Sequence, residues 1–188
     1  MRGTKWLNLA FTVAALAAVP VAAQGYSEGY TFLKAVRERD GSTAERILSN
    51  PSSTVVNARD QSNGEGAIHI LVRGRDSSWL SFILSRGARP DSASNDGTTG
   101  LILAAQMGWY EGAELLLGRR ANPNLGNSRG ETPLIFAVQR RDVPVVRLLL
   151  SRRADPNQTD NVSGNSAIDY ARQDNRGAAI LRLLEARR

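Results

Sequence analysis

The sequence predicts an all-α solenoid of about five stacked helix-turn-helix repeats. Glycines recur at intervals of 33, 33 and 34 residues, each followed two residues later by a small residue, at Gly64, Gly97, Gly130 and Gly164. Aliphatic pairs keep this register at 83–84, 116–117, 149–150 and 183–184, and alanines recur at 88, 121 and 154. A period of this length is typical of a solenoid, in which each unit buries its apolar face only against its neighbours. We therefore expect function on surfaces rather than in one catalytic pocket.

The third full repeat is regular enough for both of its helices to be predicted from the residues. Thr132 can cap the first helix, and Pro133 takes the first helical position, where its missing N–H costs nothing. Apolar residues at 134, 137 and 138 then share one helical face. Asp142 can cap the second helix, whose apolar residues at 145, 148 and 149 repeat the same spacing.

The residues of this repeat also carry a family resemblance. Residues 130–137 read Gly-Glu-Thr-Pro-Leu-Ile-Phe-Ala, residues 145–150 read Val-Val-Arg-Leu-Leu-Leu, and residues 154–157 read Ala-Asp-Pro-Asn. Together they closely resemble an ankyrin repeat, and the resemblance extends over roughly residues 30–188. It implies a turn and two antiparallel helices in each repeat, and another protein as the partner.

The registers divide the chain into six segments. Residues 1–23 precede the repeats, and three full repeats are expected at 59–91, 92–124 and 125–157. Degenerate repeats with polar outer faces are expected to cap the array at 24–58 and 158–188. We expect this array to be closed and the protein to be a monomer.

The first 23 residues have the pattern of a secretory signal peptide. Arg2 and Lys5 precede an apolar stretch at 7–19, and small residues at 21 and 23 predict cleavage after Ala23. Removal of this segment lowers the formal net charge from +6 to +4. Because 22 of the 24 basic residues are Arg, the sequence suggests a GC-rich bacterial gene. We therefore place the exported protein in a Gram-negative periplasm. Retention of the segment as an N-terminal anchor is the alternative.

Catalytic and metal-binding chemistry is not expected. The chain has one histidine, His69, and no cysteine, so it lacks the residues for a nucleophile dyad or a zinc site. We therefore predict that the protein is not an enzyme and holds no cofactor or metal. His69 lies where the resembling family has histidine, and its ring is expected to hydrogen-bond the loop backbone of a neighbouring repeat.

A partner-binding surface is expected on the concave side of the stack. The resemblance implies contacts from residues near the end of each inner helix and from the turn tips. Aromatic residues at a helix–helix turn are further candidate anchors, because aromatic side chains dominate interface energetics. Packing of these aromatic residues against the adjacent repeat is the alternative. The candidates are Arg73, Gln106, Met107, Gln139, Arg140, Trp109, Tyr110 and Arg129.

A second periodic surface is basic. Arg86, Arg119 and Arg152 share one register, and Arg120 and Arg153 follow the latter two, where Gly87 stands in the preceding repeat. These cations either complement the carbonyl groups at helix C-termini or bind an anionic partner. The sequence thus favours a protein-binding scaffold or regulator in the cell envelope. The alternative is electrostatic binding of an anionic polymer such as lipopolysaccharide, a cell-wall polymer or nucleic acid, of which nucleic acid is the least expected because no nucleic-acid motif is present.

Overall fold

The computed structural model describes residues 27–50 and 54–186, so the predicted signal segment lies outside the described residues. The described part consists of ten α-helices and a short 3-10 helix, with no strands and three isolated β-bridges. The α-helices are α1 Glu28–Glu38, α2 Gly41–Leu48, α3 Ala67–Arg73, α4 Ser77–Ser85, α5 Gly100–Met107, α6 Tyr110–Gly118, α7 Pro133–Gln139, α8 Val143–Ser151, α9 Ala167–Gln173 and α10 Ala178–Glu185, and the 3-10 helix is Val55–Asn57. Within these residues, no helix is long and apolar enough to cross a bilayer.

The helices form two layers. The odd-numbered helices contact one another in sequence and make the inner layer, and α4, α6, α8 and α10 stack behind them. The core runs along the whole stack between the layers, and its fully buried side chains come from every repeat, among them Phe32, Leu71, Leu101, Leu134 and Ile168. The predicted all-α solenoid is confirmed.

The predicted capping residues begin the helices as expected. The Thr132 hydroxyl accepts a hydrogen bond from the backbone N–H of Ile135, and Pro133 is the first residue of α7. The Asp142 carboxylate accepts from the N–H of Val145 and caps α8. Such caps satisfy N–H groups that have no partner within the helix, and each contributes about 1 kcal/mol.

Turn tips of neighbouring repeats are joined by backbone hydrogen bonds. The N–H of Asn95 donates to the carbonyl of Asn63 at 2.9 Å, that of Ser128 to Asp96 at 2.8 Å, and that of Asn161 to Arg129 at 2.7 Å. The repeating glycines permit this close approach. At Gly97, φ is +78°, and an added Cβ would lie 2.8 Å from the backbone nitrogen of Ser128.

Candidate binding surfaces

The concave groove is lined by the inner helices and the turn tips. A cavity of about 350 Å³ lies between the turn tips at Asn63 and Asp96, open to solvent, and is also lined by Arg73, Leu103 and Gln106 among others. Arg73 and Gln106 were predicted for this face, and the structure brings both to the same cavity. Gln139 holds the same register one repeat further and is exposed. The three side chains therefore form one row along the groove.

An apolar stripe runs beside this row. It occupies the middle of four consecutive inner helices, with Leu103 4% exposed and the other members partly buried at the edge of the core: Ile70, Phe136 and Tyr170. None of the four was among the predicted site residues. Their spacing of 33, 33 and 34 residues repeats the glycine register, so the same periodicity that identified the repeats could have identified the stripe.

Charges in the groove are mostly paired within the molecule. Arg73 forms an ion pair with Glu65, and Arg37 contacts Asp60 at 3.0 Å. A hydrogen bond from the Ser62 hydroxyl, with help from Arg37, lowers the pKa of Asp60 to about 2. At the turn tip, Arg129 lies 3.5 Å from the Glu131 carboxylate. The groove is therefore an apolar and hydrogen-bonding surface with little unbalanced charge.

The remaining predicted contacts lie in different places. Met107 is half-buried at the end of α5, and Arg140 is exposed at the end of α7. Tyr110 is 41% exposed, but it opens the outer helix α6 and therefore lies in the outer layer.

Trp109 does not act as an exposed anchor. Its side chain is only 7% exposed, and its ring covers Gly112, where any Cβ would overlap it. The prediction of Trp109 as an anchor is therefore wrong, because the absence of a side chain at position 112 leaves space for the ring within the stack.

The basic register divides into two groups. The Arg86 guanidinium lies 4.9 Å from the centre of the Phe82 ring. Arg119 donates to the carbonyl of Leu84, at the end of the preceding outer helix, at 3.2 Å. These two arginines therefore have intramolecular partners. Arg120, Arg152 and Arg153 are exposed, and within the described residues no partner is seen for their side chains, although the Arg153 backbone carbonyl accepts a hydrogen bond from the Asn124 side chain at 3.1 Å.

His69 ties two repeats together. Its ring is fully buried, with Nδ1 accepting from the Gly66 N–H at 3.1 Å and Nε2 donating to the Thr98 carbonyl of the next repeat at 2.8 Å. Burial lowers the pKa of the imidazole, so the ring is held neutral. The predicted contact with neighbouring loop backbone is confirmed. Among the described residues, no group of acidic, histidine or cysteine side chains could hold a metal ion.

Comparison with known families agrees with this geometry. Residues 96–128 match the family model described as Ankyrin repeat, and residues 118–171 match the model described as Ankyrin repeats (many copies). Together the two matches extend over residues 96–171. The solenoid is therefore an ankyrin-repeat solenoid, and ankyrin repeats are generally protein-interaction modules.

Proposed function

We propose that this ankyrin-repeat protein binds another protein along its concave groove and turn tips, and acts as a scaffold or regulator in the bacterial cell envelope. The observation that carries the proposal is the apolar stripe of Ile70, Leu103, Phe136 and Tyr170. It lies beside a row of amide and guanidinium side chains and crosses four repeats.

The chemistry of the groove suits a protein surface. Apolar patches bordered by polar groups are typical of protein interfaces, whose buried centres are depleted of unpaired charge. The ion pairs of Arg73 with Glu65 and Arg129 with Glu131 leave the groove nearly balanced in charge. A polyanion would have to break these pairs in order to bind there.

The envelope location rests on the sequence of residues 1–23. Arg2, Lys5 and the apolar stretch that follows them have the order of an export signal, and cleavage after Ala23 would release the repeats as a free protein. We propose no catalytic residue, because ankyrin repeats are typically non-enzymatic scaffolds.

A pair of charge-matched variants tests the groove. The purified protein is used to capture a partner from periplasmic extract, and the affinity of the identified partner is then measured. Gln106→Arg with Gln139→Arg places two cations in the groove and is expected to weaken binding about thirtyfold, because a central interface contact contributes about 2 kcal/mol. The control, Ser78→Arg with Ser151→Arg, adds the same charge to exposed sites on the outer helices and should leave the affinity unchanged.

Equal loss of affinity in the two variants, or no loss in either, would remove the groove from the proposal. Phe136→Ala is a second probe that adds no charge. It should weaken the same complex while its circular dichroism spectrum stays that of the unchanged protein.

A further inference from the structure

Five arginines of the described chain have left-handed backbone conformation, with φ between +50° and +67°: Arg39, Arg75, Arg120, Arg141 and Arg153. A side chain with a Cβ is strained in this conformation, whereas glycine is not. Each arginine therefore lowers stability unless its side chain makes a compensating contact.

Three of these arginines make such a contact across repeats. All three lie between an inner helix and its outer helix, and each reaches the next repeat. Arg39 forms an ion pair with Asp76 at 2.6 Å, and Arg141 forms a two-pronged pair with Asp174 at 2.5 and 2.8 Å. Arg75 donates to the carbonyl of Met107 at 2.6 Å. The fold itself thus accounts for arginine at these positions.

Arg120 and Arg153 make no such contact within the described residues. They follow the outer helices α6 and α8, and both side chains are exposed. Gly87 has their register in the preceding repeat, with φ +89° and open space around the position of a Cβ. The left-handed backbone at this position therefore favours glycine, and no packing contact in the described part of the chain explains the presence of arginine. Among the residues that the structure describes, no contact of the Arg120 or Arg153 side chain offsets this strain.

Their surroundings are strongly basic. We define the arginine edge as the row at the C-terminal ends of the outer helices: Arg86, Arg119, Arg120, Arg152 and Arg153. Packed helices lie about 8–10 Å apart, so the row repeats at about that interval. The nearby acidic residues in the following loops are Asp91 and Asp155. Their carboxylates already accept hydrogen bonds from the backbone N–H groups of Asn122 and Asn157.

We propose that the arginine edge binds the phosphate headgroups of an anionic lipid bilayer. Guanidinium groups bind phosphate through paired hydrogen bonds. The cations form a row along helix ends rather than enclosing a pocket, so they suit an extended planar surface whose headgroups can move laterally to meet them. The Phe82 ring, which Arg86 contacts, is covered by that guanidinium and is not a free platform for stacking nucleotide bases. Binding through the outer layer leaves the groove of the inner layer open to a protein.

Vesicle co-sedimentation of the full chain tests this assignment. Binding to phosphatidylcholine vesicles is compared with binding to vesicles that also contain phosphatidylglycerol. Arg120→Gly with Arg153→Gly is expected to reduce the affinity for anionic vesicles roughly thirtyfold, because two surface cations are lost. The same variant should have a raised melting temperature, because glycine relieves the left-handed strain. A purely structural role for these arginines would lower the melting temperature.

The matched control is Arg39→Gly with Arg141→Gly, which removes the same charge from the same backbone conformation. It should lose stability with its cross-repeat ion pairs and keep its affinity for anionic vesicles. Equal binding to neutral vesicles would assign attachment to the apolar stretch at 7–19 and overturn the proposal. Equal loss of affinity for anionic vesicles in the two variants would overturn it as well. So would a protein that does not bind vesicles but binds duplex DNA or polyglutamate through Arg120 and Arg153.

Discussion

Trp109→Ala is expected to lower the free energy of unfolding by about 3–5 kcal/mol, the usual effect of removing a large buried aromatic side chain. The Trp109 ring is packed over Gly112, in the first turn of α6. Removing the ring leaves a cavity that no nearby side chain can fill, because position 112 carries none. Urea unfolding of the purified variant measures the loss.

Gly112→Ala gives the opposite of the usual helix effect. Alanine normally stabilises a helix interior by about 0.5–1 kcal/mol relative to glycine. Here its Cβ would overlap the ring of Trp109, so we expect a loss of about 1–3 kcal/mol.

The next repeat has a different pair of residues at the positions that correspond to 109 and 112. Positions 109 and 112 correspond to Asp142 and Val145, where the aspartate caps the helix and the valine fills the core. Trp109→Asp with Gly112→Val should therefore recover most of the stability that each single change loses. Strictly additive effects in this double-mutant cycle would show that the two positions do not form one packing unit.

His69→Ala is expected to cost about 3–5 kcal/mol, because it leaves the buried Gly66 N–H without a partner, removes the bond to the Thr98 carbonyl of the next repeat and opens a cavity. His69→Gln keeps an acceptor and a donor on one side chain and should recover part of this loss. Urea unfolding at pH 7.5 compares the two variants.

The same residue makes stability depend on pH in a defined window. Burial lowers the folded pKa of His69 below its ordinary value of 6.5. The unfolded chain therefore takes up the proton first. The contribution of the neutral ring is complete above pH 6.5 and decreases as the pH falls through 6.5 towards the folded pKa.

Two aspartates with lowered pKa values titrate below this window. The pKa values of Asp40 and Asp174 are lowered to about 2 by their hydrogen-bond partners, Thr43 for the first and Arg141 for the second. The stability that these two carboxylates contribute to the fold begins to be lost near the ordinary carboxyl pKa of 3.8 and is lost further as the pH falls below it. As the pH is lowered from 7 to 5, the free energy of unfolding should decrease in the unchanged protein and stay level in His69→Gln. An equal slope in both proteins would contradict the role given to His69.

The sequence predicted those features that depend on local spacing. The helices of the third full repeat and their caps at Thr132 and Asp142 follow from the spacing of the residues, and the cross-repeat bond of His69 was implied by the family resemblance. Packing that joins two unlike positions was harder to predict. Trp109 is of a residue type that is common at interfaces, and only Gly112, three residues later, indicates that its ring packs inward.

The cross-repeat arginine contacts show the same limit. A left-handed conformation at Arg39 or Arg141 cannot be read from the residue type, because arginine rarely adopts it. The pairing also needs a carboxylate at the right place in the next repeat, as at Asp76 and Asp174. Where Trp109 takes the corresponding position, Arg75 bonds to a backbone carbonyl instead.

The central claim is that the inner-helix surface meets the partner, and site-specific photocrosslinking tests it most directly. A photoreactive amino acid at position 106, on the concave groove, should crosslink the captured protein. The same group at position 114, exposed on the outer helix α6, should not. A crosslink formed from position 114 and absent from position 106 would contradict the account.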